Sequence, residues 1–387
     1  MATQQHHSVV IVGGGPVGLV LALSMQQQGL PFKVLEARQR GAAYQDKRAL
    51  ALSYGSKMIL EKLGVWPAVK AHATDINTIH VSQRGSLGRA KLRAEEHDLP
   101  ALGYVVSYGA LMQALDGAVN AEDVLYEASA TAIRQNNEIA EVDFTLAGDA
   151  TSYSCALLVI AEGGRGLDNM PNLQRDTKAY GHDALVSKVS CEQPHNNIAY
   201  ERFTPTGPMA LLPNGGRDFS LVWTGGKASI DRLINIDDAT FLAELHDAFG
   251  DRVGRFLTVQ KRMSFPLVKS QLENNTTPHM VVIGNSAQTM HPVAGQGFNV
   301  GLRDATALMQ QLLATPTADW GSQLMLEAYG KTRVRDTKGG LLFTDFLVSL
   351  FTNDVIGISG MRSIGLGLFD VLKPVKDALV SKMSYGK

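Results

Sequence analysis

Val9-Val10-Ile11-Val12-Gly13-Gly14-Gly15-Pro16-Val17-Gly18 is the stretch that decides the fold of this chain. Its four leading apolar residues predict a buried parallel strand. Gly13 then permits a tight turn, Gly15 lets the backbone approach a pyrophosphate, and Gly18 allows a helix to pack closely on the strand. A strand–turn–helix whose glycines serve packing alone is the alternative. The spacing favours the first turn of a dinucleotide-binding unit.

The residues that follow fit the same unit. Pro16 suits a first helical turn, and a helix over about residues 16–28 would direct its N-terminal amides at a pyrophosphate. Phe32–Leu35 predict the next strand, which ends at Glu36. A carboxylate at that place accepts hydrogen bonds from the hydroxyls of an adenosine ribose and repels the extra phosphate of NADP. We therefore expect residues 9–36 to bind the adenosine end of a dinucleotide.

A second glycine-rich stretch lies near the far end of the chain. Met280–Ile283 predict a strand, and Gly284 and Asn285 follow at its carboxyl end, where α/β folds bind ligands. A helix over about residues 298–313 then opens at a loop made of Gly295, Gln296, Gly297, Phe298 and Asn299. Free amides at that helix start would stabilise a reduced, anionic flavin by about 1 kcal/mol. The loop glycines let the backbone lie flat against the flavin ring. A helix start with ordinary turn glycines is the alternative.

Composition argues against several other classes of protein. The chain has 387 residues, of which 45% are hydrophobic and 19% charged, and its net charge is −1. These values describe a globular protein and give no sign of nucleic-acid binding. Cys155 and Cys191 lack the spacing of metal ligands, so we expect two free thiols and no metal site. The N-terminal apolar run is too short for a signal peptide, and no stretch reaches the roughly 20 apolar residues of a spanning helix. We expect a cytoplasmic protein.

The pattern along the chain predicts a discontinuous α/β domain. Alternating apolar residues and turns between about 180 and 265 indicate a β-rich insertion, with a helix near 238–249. The dinucleotide fold resumes at Met280. The expected parts are a dinucleotide-binding domain of residues 1–75, 104–178 and 270–338, a β-rich substrate domain of residues 76–103 and 179–269, and a C-terminal helical segment of residues 339–387.

Several stretches together resemble a known family. They are Gly284-Asn285-Ser286-Ala287-Gln288-Thr289-Met290-His291-Pro292-Val293-Ala294-Gly295-Gln296-Gly297-Phe298-Asn299, Arg48-Ala49-Leu50-Ala51-Leu52, Ile79-His80-Val81-Ser82-Gln83-Arg84-Gly85 and Glu201-Arg202-Phe203-Thr204-Pro205-Thr206-Gly207-Pro208. The chain resembles the class A flavoprotein monooxygenases of the p-hydroxybenzoate hydroxylase type. Within them it is most similar to the ubiquinone-biosynthesis hydroxylases, in particular the 2-polyprenyl-6-methoxyphenol hydroxylase branch. The resemblance covers essentially the whole chain.

This resemblance implies a Rossmann-like FAD-binding fold with an inserted β-sheet substrate domain. It implies FAD as cofactor, NADPH or NADH as electron donor, and O2 as co-substrate. The implied reaction hydroxylates a polyprenylated phenol in ubiquinone biosynthesis through a flavin C4a-hydroperoxide. A hydroxylase acting at another ring position or on another aromatic substrate is one alternative. A flavin-fold binding protein without turnover is another.

Matched positions then imply FAD contacts. The residues that would hold the ADP part are Gly13, Gly15, Gly18 and Glu36. Arg48 matches an arginine near the phosphates and the ring, Gln113 matches a glutamine that meets FAD, and Asn285 stands where many relatives carry aspartate. The residues that would line the flavin ring are Pro292, Gly295, Gln296, Gly297 and Asn299, with Gly284 and Phe298 beside them.

Two assignments near the ring concern its chemistry. The family usually has Asp-Gly after the middle strand, serving both FAD and the nicotinamide cofactor, where this chain has Glu162-Gly163. Glu162 keeps the charge and adds one methylene, so the resemblance implies a contact with FAD in a shifted geometry, and the handling of the reductant is the part of the resemblance that transfers least directly. His291 and Pro292 are the catalytic candidates, with His291 either a general base or a residue that orders the loop. His80 and Arg84 could face the substrate, although core or surface roles are the simpler interpretation.

The C-terminal segment leaves two alternatives open. Apolar residues recur at helical spacing between Leu341 and Phe351 and again between Ile364 and Val371, and Lys373, Lys376 and Lys382 follow. Such an amphipathic segment packs on its own protein, or it forms a surface for the inner face of a membrane or for a complex of ubiquinone biosynthesis. The oligomeric state stays open.

Overall fold

A computed structural model describes residues 5–85, 88–164, 173–289, 296–334 and 373–385. Its strands are β1 (Gln5–Val12), β2 (Lys33–Glu36), β3 (Ala49–Ser53), β4 (Thr74–Ile76), β5 (Thr78–Gln83), β6 (Arg89–Arg93), β7 (Gly103–Ser107), β8 (Val124–Tyr126), β9 (Ala128–Gln135), β10 (Ala140–Leu146), β11 (Asp149–Ile160), β12 (Arg175–Cys191), β13 (Ile198–Thr204), β14 (Gly207–Pro213), β15 (Asp218–Gly226), β16 (Phe256–Val259), β17 (Met263–Leu272), β18 (Thr276–Thr277), β19 (Met280–Val282) and β20 (Gln288–Thr289). Its α-helices are α1 (Pro16–Gln27), α2 (Tyr54–Lys62), α3 (Trp66–Lys70), α4 (Tyr108–Asp116), α5 (Lys227–Asn235), α6 (Asp238–Phe249), α7 (Gln296–Ala314), α8 (323–334) and α9 (Lys373–Tyr385).

The first sheet is the predicted dinucleotide fold. Its strands lie in the order β18-β19-β11-β1-β2-β8, and the pairs β19/β11, β11/β1, β1/β2 and β2/β8 are parallel. Helices α1, α4, α7 and α8 cover one face of this sheet and share an apolar core with it. The β9–β10 meander extends the sheet, because β10 pairs antiparallel with the first part of β11. The chain runs outward from β1 in both directions, so the switch point of the sheet lies between β1 and β11.

The second sheet holds β20-β17-β12-β15-β14-β13-β5-β6, with β16 beside β12. Helices α5 and α6 pack on one face of it through residues that include Phe219, Leu221, Leu233, Phe241 and Leu245. The sheet takes in a few residues on either side of the expected segment 179–269, because β12 begins at Arg175 and β17 ends at Leu272. The insertion of this sheet into the chain agrees with the alternating pattern of the sequence.

A third sheet, β3-β7-β4, joins the other two and was not expected from the sequence. Its strands are three to five residues long, so periodicity alone gives them little weight. Helix α5 was also missed. The expected helix over 238–249 has the same bounds in the structure, and the helix expected from about 298 begins two residues earlier, at Gln296.

The C-terminal helix α9 packs on the rest of the protein. The Nζ of buried Lys376 lies 3.1 Å from Oε2 of Glu96, and the rings of Tyr385 and Tyr54 form an edge contact at 6.4 Å. An added Cβ on Gly55 would lie 2.0 Å from the Ser384 carbonyl oxygen. Thus α9 packs on its own protein, the first of the two alternatives for the C-terminal segment, and Lys376 is not a free basic group. The apolar residues 341–371 lie outside the described part. No helix of the described ranges is long and apolar enough to cross a membrane.

Candidate functional site

The turn after β1 needs glycine at two positions for steric reasons. Gly13 has φ +110°, and its amide donates to the Leu35 carbonyl at 2.8 Å. A Cβ on Gly13 would lie 2.6 Å from the Ala161 carbonyl carbon, and one on Gly18 would lie 2.0 Å from the Gly13 carbonyl oxygen. Because these contacts are with backbone, a larger residue would displace the turn or the helix.

Gly15 differs from the other two glycines of the turn. Its φ of −73° is open to any residue, and a Cβ there would have the Tyr108 hydroxyl oxygen as its nearest neighbour, at 3.8 Å. Among the residues that the structure describes, no side chain caps α1, and the first turn of the helix carries no acidic residue. The turn therefore leaves space and uncapped amides where a pyrophosphate would lie, so these residues fit the nucleotide part of FAD.

Glu36 lies at the end of β2, beside that turn. The Gly14 amide donates to one carboxylate oxygen at 2.8 Å, and the amide and Nε of Arg38 donate to the other at 3.0 and 2.7 Å. Three hydrogen bonds leave part of the acceptor capacity of the buried carboxylate for a ribose hydroxyl. The hydrogen bond from Arg38 to Glu36 also raises the pKa of that guanidinium.

Tyr108 and Arg38 join this site although sequence reasoning missed them. Arg48, which was expected here, lies with its guanidinium carbon 5.2 Å from the Tyr108 ring centre, and its Nε is held by the Asp46 carboxylate at 2.9 Å. Arg38 also interacts with Tyr108. The two guanidinium groups put positive charge near Gly15, which favours a pyrophosphate. Ser107, a helix N-cap residue in the sequence, was the one signal that could have located Tyr108.

The two glycine-rich stretches meet in space, as expected. Gly284 has φ +66°, and a Cβ on it would lie 3.2 Å from either γ-methyl of Val17. A Cβ on Gly301, at the first turns of α7, would lie 2.9 Å from Val17 and 3.2 Å from the Gly284 Cα. The start of α1 and the start of α7 are thus brought together at the switch point of the sheet.

A third loop meets them there. The amides of Gly163 and Gly164, next to Glu162, donate to the hydroxyl of buried Ser286 at 2.8 and 3.0 Å. A Cβ on Gly164 would lie 3.5 Å from the carbonyl oxygen of Asn285, whose side chain is exposed. The loops after β1, β11 and β19 therefore lie at adjacent carboxyl ends of one parallel sheet, which is where such sheets bind ligands.

The side chain of Asn299 is held by β3 and α2. Its Oδ1 accepts hydrogen bonds from the Ser53 amide and the Ser56 hydroxyl at 2.8 and 2.7 Å, and its Nδ2 donates to the Ala51 carbonyl at 2.9 Å. This buried side chain fastens the start of α7 to β3, and the contact of Asn299 with the flavin ring stays a prediction. A Cβ on Gly297 would meet nothing within 4 Å, while Phe298 packs on the core.

The carboxylate of Asp304 on α7 binds the loop that follows β19. Its Oδ2 accepts from the Gly284 amide at 3.0 Å and from Nε2 of Gln288 at 3.2 Å. Its Oδ1 accepts from Nε of Arg333 on α8 at 2.7 Å. The buried carboxylate therefore joins α7, α8 and the loop after β19, a positioning role that the sequence alone did not show.

The remaining expected residues are distributed as follows. Gln113 is exposed on α4, beyond Tyr108, so its contact with FAD stays a prediction. His80 is buried on the α6 side of the second sheet, where burial and nearby cations lower its pKa to about 4. Arg84 pairs with Asp247 at 2.8 Å. His291, Pro292 and Gly295 lie outside the described residues, as do the side-chain surroundings of Gln296.

The two cysteines are free thiols, as expected. Burial raises the pKa of each to about 12, which keeps them protonated and unreactive. No group of metal-ligating side chains occurs in the described ranges.

Comparison with known proteins identifies the family. The family model for an FAD binding domain matches residues 6–339. The chain belongs to this family. The chain is 33% identical over 377 residues to ubiquinone hydroxylase UbiL of Rhodospirillum rubrum, covering 95% of this chain and 87% of that protein. It is 30% identical to 3-demethoxyubiquinol 3-hydroxylase of Escherichia coli, covering 94% and 95% of the two chains.

A solved structure agrees with the fold. p-Nitrophenol 4-monooxygenase PnpA from Pseudomonas putida superposes with a TM-score of 0.81 at 15% identity, over 99% of both chains. The family match and the named relatives show that this chain is an FAD-dependent hydroxylase of the monooxygenase class. The alternative of a binding protein without turnover is thereby set aside.

Proposed function

We propose that this protein hydroxylates the aromatic ring of a polyprenylated phenol in ubiquinone biosynthesis, with 2-polyprenyl-6-methoxyphenol as the type of substrate. NADH or NADPH would be the electron donor and O2 the co-substrate. The observation that carries the proposal is the similarity to named ubiquinone hydroxylases over nearly the whole chain, together with the meeting of the two glycine-rich stretches.

Bound FAD would supply the redox and oxygen-activating chemistry of this reaction. The residues of the chain would bind and orient it. Uncapped amides at α1 and the charges of Arg38 and Arg48 would hold the pyrophosphate, and Glu36 would accept hydrogen bonds from the ribose. The amides at the start of α7 would stabilise negative charge on the ring.

A second candidate substrate has its own support. The Escherichia coli relative is named 3-demethoxyubiquinol 3-hydroxylase, a name that gives a quinol as the substrate and position 3 as the place of hydroxylation. The two candidates share FAD, the donor and the polyprenyl tail, and they differ only in the ring. They are separated by identifying the product.

The deciding experiment incubates the purified holoenzyme with O2 and each nicotinamide. Short-chain analogues of the two substrates are supplied separately, and the product is examined by mass and by NMR for the position of the new hydroxyl group. The proposal expects one oxygen atom added to the methoxyphenol and faster donor oxidation when that phenol is present. Donor oxidation at the same rate with and without phenol, and without product, would refute it.

Membrane contact is a further part of this proposal. It rests on the polyprenyl tail and on the apolar residues between Leu341 and Phe351, in a cytoplasmic protein. Co-sedimentation with vesicles of anionic phospholipid, compared with a variant carrying Phe346→Asp and Leu350→Asp, tests it. Equal sedimentation of the two proteins would refute a role for this segment.

A further inference from the structure

The second sheet has two faces of different chemistry, and β13 shows both. The Tyr200 ring lies 5.5 Å from the Phe249 ring of α6, and Nε of Arg202 donates to the Ala248 carbonyl at 3.0 Å. These two side chains face the covering helices. Because side chains alternate along a strand, Ala199 and Glu201 face the other way.

Ala199 shows what that other face meets. It packs in a cluster with Ile76, Val105 and Ala49 from the third sheet. Ala49 begins β3, the strand that holds the side chain of Asn299 through Ala51 and Ser53. We name the face of the second sheet that carries Glu201 the inner face. It lies toward β3, the strand that holds the start of α7.

A row of side chains crosses the inner face through Glu201. Backbone pairing places in one register the residues Met263, Val186, Val222, Ala210, Glu201 and Val81. Glu201 is the one polar member of this row. At its far edge, Met263 and the neighbouring Phe265 are exposed by 37% and 42%, which is high for such apolar side chains.

The carboxylate of Glu201 is not paired with a charged group of the residues that the structure describes. Within the described ranges no hydrogen bond or ion pair engages it, and burial raises its pKa to about 8. Val81 and Ala210 flank it from β5 and β14, and the third sheet presents apolar side chains. Protein surrounds Glu201, yet it keeps partial solvent accessibility, as expected for a side chain that lines an internal cavity.

The charged groups of the neighbouring strands lie on the opposite face. His80 and Lys91 pair in register with Tyr200, and Arg202 alternates with Glu201 on its own strand. The cations Arg252, Lys91, Arg89 and Arg202 lower the pKa of His80. None of them acts on the pKa of Glu201, which burial alone raises. The cations of β5, β6 and β13 are therefore on the other face of the sheet from Glu201, and Lys188 of β12, on the inner face, is paired with Asp218 at 2.9 Å.

We propose that Glu201 is the general base for the substrate, an inference that rests on the proposed function. The phenol O–H bond breaks, the proton bonds to a carboxylate oxygen of Glu201, and the electron pair stays on the phenol oxygen. The ring thus becomes richer in electrons where an electrophilic oxygen atom adds. A phenol with an apolar tail fits a row of apolar side chains that holds one carboxylate.

The proposal fixes the direction of the pH dependence. A general base acts only when it is ionised, so the ionised fraction of Glu201 rises as the pH rises through about 8. A free phenol ionises near pH 10. Between pH 6.5 and about 9, carboxylate ionisation should therefore increase both the rate and the affinity for the neutral phenol.

The experiment uses the holoenzyme with a short-chain 2-prenyl-6-methoxyphenol. Phenol affinity is measured without reductant, from the change in FAD absorbance, and kcat/KM is measured across pH 6 to 9.5. Wild-type kcat/KM should rise with a midpoint near pH 8 and level off above about pH 9. In Glu201→Gln, which keeps the shape of the neutral acid, kcat should fall about 10²- to 10⁴-fold and both pH dependences should vanish.

Two variants serve as controls. Glu201→Asp should keep a rising pH profile, because it keeps an ionisable carboxylate. Glu192→Gln removes an exposed carboxylate of the same sheet, paired with Arg255 at 3.2 Å, and should behave as wild type. FAD content and the thermal midpoint show that each variant is folded.

The outcomes separate the two proposals. A Glu201→Gln protein that hydroxylates within about threefold of wild type, with the pH rise intact, would overturn the role of Glu201 alone. A wild-type profile without any rise between pH 6 and 9 would do the same without a variant. A wild type that binds no phenol and yields no hydroxylated product would overturn the proposed function together with it.

Discussion

At the glycine-rich edge of the first sheet, Glu36 accepts hydrogen bonds from Gly14 and Arg38, whereas on the inner face of the second sheet Glu201 lies among apolar side chains. Glu36 lies beside the open turn at Gly15, and Glu201 keeps partial solvent accessibility. Donors fix the first as a charged acceptor, which suits a group that holds a sugar. Burial without donors raises the pKa of the Glu201 carboxyl to about 8, close to neutral pH, which suits a group that moves a proton. The surroundings, and not the residue type, decide the role.

Replacement of Gly18 by alanine should have the largest effect at the glycine-rich edge. Its Cβ would lie 2.0 Å from the Gly13 carbonyl oxygen, and backbone atoms cannot yield cheaply. We expect a loss of about 3 kcal/mol or more in the free energy of unfolding, measured by urea denaturation. Gly330→Ala in α8, where a Cβ meets nothing within 4 Å, is the matched control and should be neutral or stabilising. Equal stability of the two variants would contradict the packing role of Gly18.

Gly15→Val should separate binding from folding at the same edge. The position has an ordinary φ and free space, so the apoprotein should keep its wild-type thermal midpoint. The valine methyl groups would occupy the space of the pyrophosphate and weaken FAD binding at least about 100-fold, or about 2.7 kcal/mol. Titration of the apoprotein with FAD measures this. Stoichiometric flavin in the purified variant would exclude the turn as the phosphate site.

Glu201→Gln should change how stability depends on pH. The folded pKa of about 8 lies above the ordinary 4.5, so the folded state binds more protons than the unfolded state between these values. Wild-type stability should therefore fall as the pH rises from 4.5 to 8, at about 1.4 kcal/mol for each unit of pKa difference before screening. The variant lacks this loss, so its thermal midpoint should increase relative to that of wild type from pH 5 to pH 8. Midpoints that stay parallel would show that Glu201 is not held neutral.

Glu36→Gln should have the smallest effect of the four. The amide can still accept one hydrogen bond, but it loses the charge that strengthens the bond to a ribose hydroxyl. We expect FAD affinity to fall by about 1.5–3 kcal/mol, measured by the same titration. Glu138→Gln, at an exposed position, is the control. An unchanged affinity in Glu36→Gln would mean that Glu36 serves the turn and Arg38 but not the ligand.

Local patterns foretold the first sheet well. The spacing of Gly13, Gly15 and Gly18 reports a turn whose geometry depends on residues close in sequence, and Glu36 follows one strand later. The helix over 238–249 was correct to the residue because an N-cap and an apolar stripe mark it. Short strands such as β3 and β4 were missed because their pairing is long-range and leaves little periodic signal.

The candidate site was predicted less completely than the fold. Tyr108 and Asp304 act through partners that are distant in the sequence, and no spacing rule joins them to the glycines. Arg38 binds Glu36 two residues before it, but no motif marks an arginine at that position. The motif places Asn299 at the start of α7, but it did not show that the side chain binds Ser53 of β3 and Ser56 of α2. A motif gives the position of the backbone and not the direction of a side chain.

The sequence by itself determined that a glycine turn, a helix start and a carboxylate follow one another at the edge of a parallel sheet, because these features obey local steric and hydrogen-bonding rules. Only the tertiary structure decided that Val17 packs against Gly284 and Gly301, and that Glu201 faces away from the cations of β5, β6 and β13. The reason is physical. Burial and charge separation depend on which strands become neighbours, and that is settled by the packing of the whole chain.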